Sequence, residues 1–228
     1  MKYVIGIDIG GTNLRIGTVD EEGNLTNFER KSSESLVSEG AVENLGNEVK
    51  SYIERYKLEG RVGAISVGVP SMVSKDKSFI YSTPNLKGLE NIDLGHLLGD
   101  YVNIPVFVDR DVNYLLVNDI KTHGLDPDRE RTILGFYLGT GFGNAVYING
   151  QLHVGKNGVA GELGHIPMYG IEEACTCGNI GCSETRCSGR YLRYLTDTYF
   201  PDTDISEVFV KHGDDPRIQE YVDTLAIP

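Results

Sequence analysis

The apolar positions of this chain fall into short runs broken by glycine, and their period changes along its length. "YVIGIDIG" near the N-terminus is an apolar run that closes on glycine, which predicts a strand entering a turn. "LRIGTVDEEGNL" follows with partial alternation and an E-G-N turn, so a β-hairpin is expected there rather than a strand followed by a helix. In "LVSEGAVENLGNEVKSYIERY", Val42, Leu45, Val49 and Ile53 carry helical spacing. "VGAISVGVP" and "IPVFVDRD" read as buried strands, and "VNYLLVNDI" after the second reads as a helix. "TILGFYLGTGFGNAVYING" is another strand–turn–strand, "SGRYLRYLTDTYF" a helix, and the tail from Asp202 is polar and helical in parts.

Between these runs, "KTHGLDPDRER" is polar and carries Gly and Pro. It predicts a boundary, giving domains 1–120 and 121–228. Each half then holds one glycine-turn hairpin, near residues 8–13 and 139–143. Two α/β halves that each offer a Gly/Thr turn would grip a polyphosphate from both sides.

Composition narrows the class. With 40% hydrophobic and 24% charged residues the chain can build an ordinary globular core. Its 33 acidic and 21 basic residues give a formal net charge of −12. That field repels nucleic acid and anionic membrane, so neither is an expected partner. Phosphate ligands stay open, because backbone amides can hold them. "MKYVIGIDIGG" is too short an apolar run for a signal peptide and Asp8 interrupts it. No stretch reaches the roughly 18–20 apolar residues of a membrane span, and a cytoplasmic location is expected.

All four cysteines lie in "ACTCGNIGCSETRC", Ala174 to Cys187. A disulfide cluster, a redox pair and a metal knuckle are the candidates. A reducing compartment argues against disulfides, and a redox pair would more often read C-x-x-C. Cys175, Cys177 and Cys182 form C-x-C-x4-C, with Gly178 and Gly181 inside the loop to let the backbone fold back. Thiolates suit zinc, which needs a fourth ligand in a structural site. Cys187 and His165 both qualify, and four buried, unliganded thiols are the plain alternative.

In "DIGGTN", Gly10 and Gly11 would let backbone amides approach phosphate oxygens, Thr12 adds a hydroxyl, and Asp8 would hold Mg²⁺ directly or through water. A Walker A loop is absent. "LGTGFG", with Gly139, Thr140 and Gly141, is the same type of turn. Each alone reads equally well as a plain hairpin turn, and the pairing favours phosphate. Asp111 in "VDRDVN" closes a strand and opens a helix, which suits either an N-cap or a general base. Glu162 and His165, three apart in "GVAGELGH", would share one helical face.

Together these residues resemble the ROK family of sugar kinases and sugar-responsive repressors, over nearly the whole chain. "DIGGTNLRIGTVD" and "LGTGFGNAVYINGQL" are similar to its two phosphate motifs, and "GVAGELGHIP" with "CTCGNIGCSET" to its zinc signature. The resemblance implies an α/β, actin-like (ribonuclease H-like) ATPase fold of two domains with a sugar site in the cleft. It assigns a structural zinc to His165, Cys175, Cys177 and Cys182, and leaves Cys187 out. It makes Asp111 the catalytic base toward a hexose hydroxyl, the one on C6. Glu162, His165 and Glu184 would bind the ring hydroxyls, with Asn85 a further candidate. Gly10, Gly11, Thr12, Asn13, Gly139, Thr140 and Gly141 would hold the phosphates of MgATP. A homodimer is expected.

Two features depart from the family pattern. Arg110 stands where the family's kinases mostly carry Asn, and it is expected to face the sugar beside Asp111, with pairing to a surface carboxylate as the plain alternative. The family continues for a further part of the second domain, so that domain is expected to be truncated here. "VSKDK", "STPNL", "RDVN" and "ETRCSG" look similar to D-allose kinases, which makes D-allose the favoured hexose. N-acetylmannosamine and glucose kinases are the alternatives, along with a weakened fragment that still binds sugar and zinc. The family's repressors carry a helix-turn-helix before the first phosphate motif, which here begins within eight residues of Met1.

Overall fold

Ile5, Ile7 and Ile9 alternate onto one face of the first strand, and that face is the floor of the larger core. The structure, a computed structural model, describes residues 2–83 and 86–226. The chain divides into two compact units, residues 1–128 with 152–160, and residues 129–151 with 161–228.

In the first unit β1 (Tyr3–Ile9), β2 (Asn13–Val19) and β3 (Leu25–Ser32) form an antiparallel meander. β4 (Val62–Val69) pairs parallel to β1, and β7 (Val106–Arg110) parallel to β4, giving the order β3-β2-β1-β4-β7. The short strands β5 (Met72–Val73) and β6 (Ile80–Ser82) make a separate two-stranded pair.

α1 (Ala41–Arg55) begins after Gly40, whose φ is 81°. Leu36, at the head of the helical run read from sequence, instead lies in a short 3₁₀ turn. α1 and α2 (Leu94–Val102) cover one face of the sheet with Val49, Tyr52 and Leu98, all 0% exposed. Burying an aliphatic side chain of this size contributes about 1.5–3 kcal/mol. α3 (Asp111–His123) follows β7 with no loop between them and ends at Gly124 in the left-handed region, φ 58°. Because this helix runs on past residue 120, the first unit reaches Asp128 rather than ending at the expected 120/121 boundary.

In the second unit β8 (Thr132–Leu138) and β9 (Phe142–Ile148) form the expected hairpin, with Leu138 opposite Phe142. The two-residue strand β10 (Gln151–Leu152) extends that sheet. α4 (Glu184–Cys187), α5 (Gly189–Tyr199), α6 (Val208–His212) and α7 (Pro216–Leu225) follow. Leu192, Leu195, Val208, Ile218 and Tyr221 form its core. Among the described residues no helix is long and apolar enough to cross a membrane.

Candidate functional site

The first glycine turn joins β1 to β2. Gly10 N–H donates to Asn13 O at 2.8 Å, Ser33 N–H to Thr12 O at 3.1 Å, and Arg30 Nε to Asn13 Oδ1 at 2.9 Å. A Cβ on Gly10 would meet only Asn13 O, at an ordinary 3.5 Å. Packing within the chain therefore does not demand glycine there, whereas close approach of a ligand to the backbone would. Asp8, the expected Mg²⁺ ligand, pairs through Oδ2 with Arg15 Nη1 at 2.5 Å, and both side chains are nearly half exposed. The carboxylate suits a hard cation, but its charge is already met. Mg²⁺ at this place would displace the guanidinium or act through water.

Asp111 stands at the β7–α3 junction. The N-cap position belongs to Arg110, with Asp111 one residue inside the helix, so the capping alternative is off by one. Its Oδ1 accepts Val112 N–H at 2.8 Å. Burial pushes its carboxyl above the usual carboxylate range, and the nearby Asp8 charge adds to this; the Val112 amide and Arg110 oppose it. A carboxylate whose proton affinity is raised by desolvation is a better proton acceptor.

Asp109 ties the β7–α3 junction together. Asp109, 4% exposed, accepts Arg110 N–H at 2.8 Å and Asn113 Nδ2 at 2.7 Å, and Lys77 Nζ lies 2.9 Å from its second oxygen. Sequence reasoning missed this support, although Asp109 and Asn113 both lie in the "VDRDVN" segment that drew attention to Asp111. Arg110 is 6% exposed and donates through Nη1 to Ala160 O at 2.7 Å. Its Nη1 thus engages the main chain of residues 152–160, a bond the sugar expectation did not include. Asn85, a further sugar candidate, lies outside the described residues.

The second glycine turn is built into its own unit. Gly139 N–H donates to Gly141 O at 3.1 Å. The turn's carbonyls at Gly139 and Thr140 accept N–H groups of Gly189 and Arg190 at 3.0 and 3.2 Å. Glu184 Oε2 accepts Phe142 N–H at 2.9 Å, an engagement the sugar assignment did not anticipate.

The metal candidates converge. One ligand atom from each of His165, Cys175, Cys177 and Cys182 lies within 4.8 Å of all the others. Cys175 Sγ is 3.6 Å from His165 Nδ1, and Cys177 Sγ is 3.6 Å from Cys182 Sγ. Tetrahedral zinc with bonds of about 2.3 Å would set ligand atoms about 3.7 Å apart, so the donor set fits in number, type and spacing. Gly178 and Gly181 take φ of 95° and 83° to make the knuckle. Burial and the neighbouring thiols push Cys182 up to about 12, so three thiolates this close need a cation to ionise together. Cys187 is buried and stands outside the cluster. His165 ends a 3₁₀ turn, Leu163–His165, with Glu162 at its start. The two side chains approach as expected, Nε2 to Oε2 3.9 Å, through this turn and not along an α-helical face.

The chain thus holds a glycine turn and a desolvated carboxylate at a strand's C-terminal end in its first unit, and a second glycine turn and a Cys₃His cluster of metal-site type in its second. A model of the ROK family matches residues 4–227, and the chain belongs to that family. It is 32% identical over 215 residues to a glucokinase of Streptomyces coelicolor, covering 94% of this chain and 65% of that protein. It is 29% identical over 205 residues to an N-acetyl-D-glucosamine kinase of Vibrio cholerae, covering 86% and 66%. The chain thus spans about two thirds of these relatives. A ROK-family glucokinase from Streptomyces griseus, solved with glucose and AMPPNP, superposes with a TM-score of 0.77 at 27% identity, covering 98% of this chain and 75% of that one. The fold is that of the ROK kinases, an actin-like ATPase fold with a mixed sheet.

Proposed function

We propose that this chain belongs to an ATP-dependent sugar kinase that transfers the γ-phosphoryl group of ATP to a hexose hydroxyl. The observation that carries this reading is Asp111: a carboxylate of raised proton affinity at the end of a parallel strand, in the same unit as a glycine turn suited to phosphate. Asp111 accepts the proton of the attacking hydroxyl, taken to be that on C6, as that oxygen bonds to phosphorus. The turns at Gly10, Gly11, Thr12 and Asn13 and at Gly139, Thr140 and Gly141 hold phosphate oxygens through backbone amides. Mg²⁺, when bound with ATP, neutralises phosphate charge, and Asp8 is the chain's residue for it.

Glu162 and His165 bind ring hydroxyls. His165 turns Nδ1 to the sulfurs, so a metal there fixes the tautomer and leaves Nε2 to donate. Zinc at Cys175, Cys177, Cys182 and His165 is therefore structural in this reading. It activates no water.

The finer reading is D-allose as the favoured hexose. It is supported by "VSKDK", "STPNL", "RDVN" and "ETRCSG" and by Arg110 beside the base. Similarity to a glucokinase and to an N-acetyl-D-glucosamine kinase favours a second reading, glucose or an N-acetylhexosamine. Steady-state phosphorylation of D-allose, D-glucose, N-acetylglucosamine and N-acetylmannosamine with MgATP tests both. A kcat/KM highest for D-allose supports the first, and one highest for D-glucose or an N-acetylhexosamine supports the second.

A further inference from the structure

The family resemblance places Glu184 at the sugar. In the structure its carboxylate reaches the second glycine turn. Oε2 accepts Phe142 N–H at 2.9 Å, and the same oxygen stands 2.4 Å from where a Cβ on Gly141 would lie. A side chain at Gly141 would therefore displace the Glu184 carboxylate from the turn. The start of α5 grips the turn from the same segment. Gly189 N–H donates to Gly139 O and Arg190 N–H to Thr140 O. A Cβ on Gly189 would stand 2.2 Å from Gly139 O, so this approach also excludes any larger residue. Three backbone groups of the turn are thereby taken by residues 184–190.

That segment issues from the Cys/His knot. Cys182 lies two residues before Glu184. Ser183 N–H donates to Ile166 O at 3.0 Å and Ser183 Oγ to Leu163 O at 2.8 Å, which ties the start of α4 to the 3₁₀ turn bearing His165. The metal ligands are therefore joined to the turn through two residues of main chain, braced at Ser183, and the Glu184–Phe142 hydrogen bond.

We propose that Glu184 is a positioning residue for the second phosphate turn, and that the knot sets the shape of that turn through it. A glycine-rich turn left to itself samples many conformations, and fixing it beforehand lowers the cost of ordering it around an anion. The arrangement makes nucleotide-phosphate affinity depend on the knot. Its nucleotide side rests on the reading of Gly139–Gly141 as a phosphate turn.

The test uses the full metal-loaded chain with Glu184→Ala and Glu184→Gln. Amide hydrogen exchange is followed in the peptide spanning residues 138–143, and affinity is measured for MgAMPPNP and for hexose. Loss of a charge-assisted acceptor in Glu184→Ala should speed exchange of that peptide about tenfold and weaken MgAMPPNP by about the same factor, with metal content unchanged. Glu184→Gln keeps an acceptor for Phe142 N–H and should stay within about threefold of wild type in both. Stripping the metal from wild type should speed exchange in the same peptide. Should Glu184→Ala not fold, Glu184→Asp, whose carboxylate is one methylene too short to reach Phe142 N–H, should give the same local increase. Unchanged exchange in residues 138–143, with only hexose binding weakened, overturns the proposal. Wild type that binds no MgAMPPNP, with exchange responding as stated, overturns the phosphate reading and leaves the positioning role supported.

Discussion

Arg110 Nη1 donates to the carbonyl of Ala160 at 2.7 Å, across 50 positions of sequence, from the residue just before Asp111. The side chain that departs most visibly from the family pattern is therefore anchored to the main chain. A guanidinium at 6% exposure is held in one geometry, and its charge acts in a poorly solvated place.

Replacing Arg110 by Asn removes a donor that a shorter side chain cannot replace. Arg110→Asn should lower stability by about 1–3 kcal/mol, seen as a drop in Tm by thermal denaturation. If the guanidinium also sets substrate preference, the ratio of kcat/KM for D-allose to D-glucose should shift toward glucose by roughly 10-fold or more. A lowered Tm with an unchanged ratio would restrict Arg110 to anchoring Ala160.

The raised proton affinity of Asp111 has a kinetic and a stability consequence, with opposite preferences for pH. As the proposed base, Asp111 works only when deprotonated. The acid limb of kcat/KM should therefore fall at a pH above the ordinary carboxylate value of about 4, because burial raises its folded pKa. Stability runs the other way. A carboxyl whose folded pKa exceeds its unfolded one favours folding most when protonated, and it loses that contribution as pH rises through the folded pKa. Asp111→Asn should thus raise Tm at pH 7 relative to wild type, with the gap shrinking toward pH 4. A variant that melts lower than wild type at pH 7 would contradict the desolvation account.

The knot predicts a metal count. Purified protein should carry about one zinc per chain by elemental analysis, from four ligands of the structural-zinc type. Cys177→Ser removes one of the four clustered ligands and should lose it. Cys187→Ser should retain it, since Cys187 lies outside the cluster. Protein prepared without chelators that holds no metal would remove the assignment.

The parts of the molecule legible in sequence are those set by short-range pattern. Both glycine hairpins, the strands ending at Ile9 and Arg110, and the helix opening at Asp111 rest on local periodicity and turn residues. The Cys₃His set was narrowed to two choices by spacing and completed by the family resemblance, and its convergence in space follows from two left-handed glycines in the knuckle. β3 was missed because "LTNFERKS" alternates without a single buried residue, so only pairing with β2 makes it a strand. α2 was missed because Gly95 and Gly99 interrupt its short apolar pattern. The Arg110–Ala160 and Glu184–Phe142 bonds span 50 and 42 positions and have no local signature. They give Arg110 and Glu184 partners within the chain, beside the sugar contact that the resemblance implies for Glu184 and that is expected of Arg110.

The central claim is proton abstraction by Asp111 during phosphoryl transfer to a hexose. It is tested most directly by ADP release from MgATP with and without a hexose panel, in wild type and Asp111→Asn, alongside sugar affinity by calorimetry. Asn keeps the shape and the Val112 contact but cannot accept the proton. The account predicts hexose-dependent ADP release in wild type and a loss of about 10²–10⁴-fold in kcat for Asp111→Asn, with sugar affinity nearly unchanged. Near-normal turnover in Asp111→Asn, or no hexose-dependent ADP release from wild type with any sugar of the panel, would contradict it.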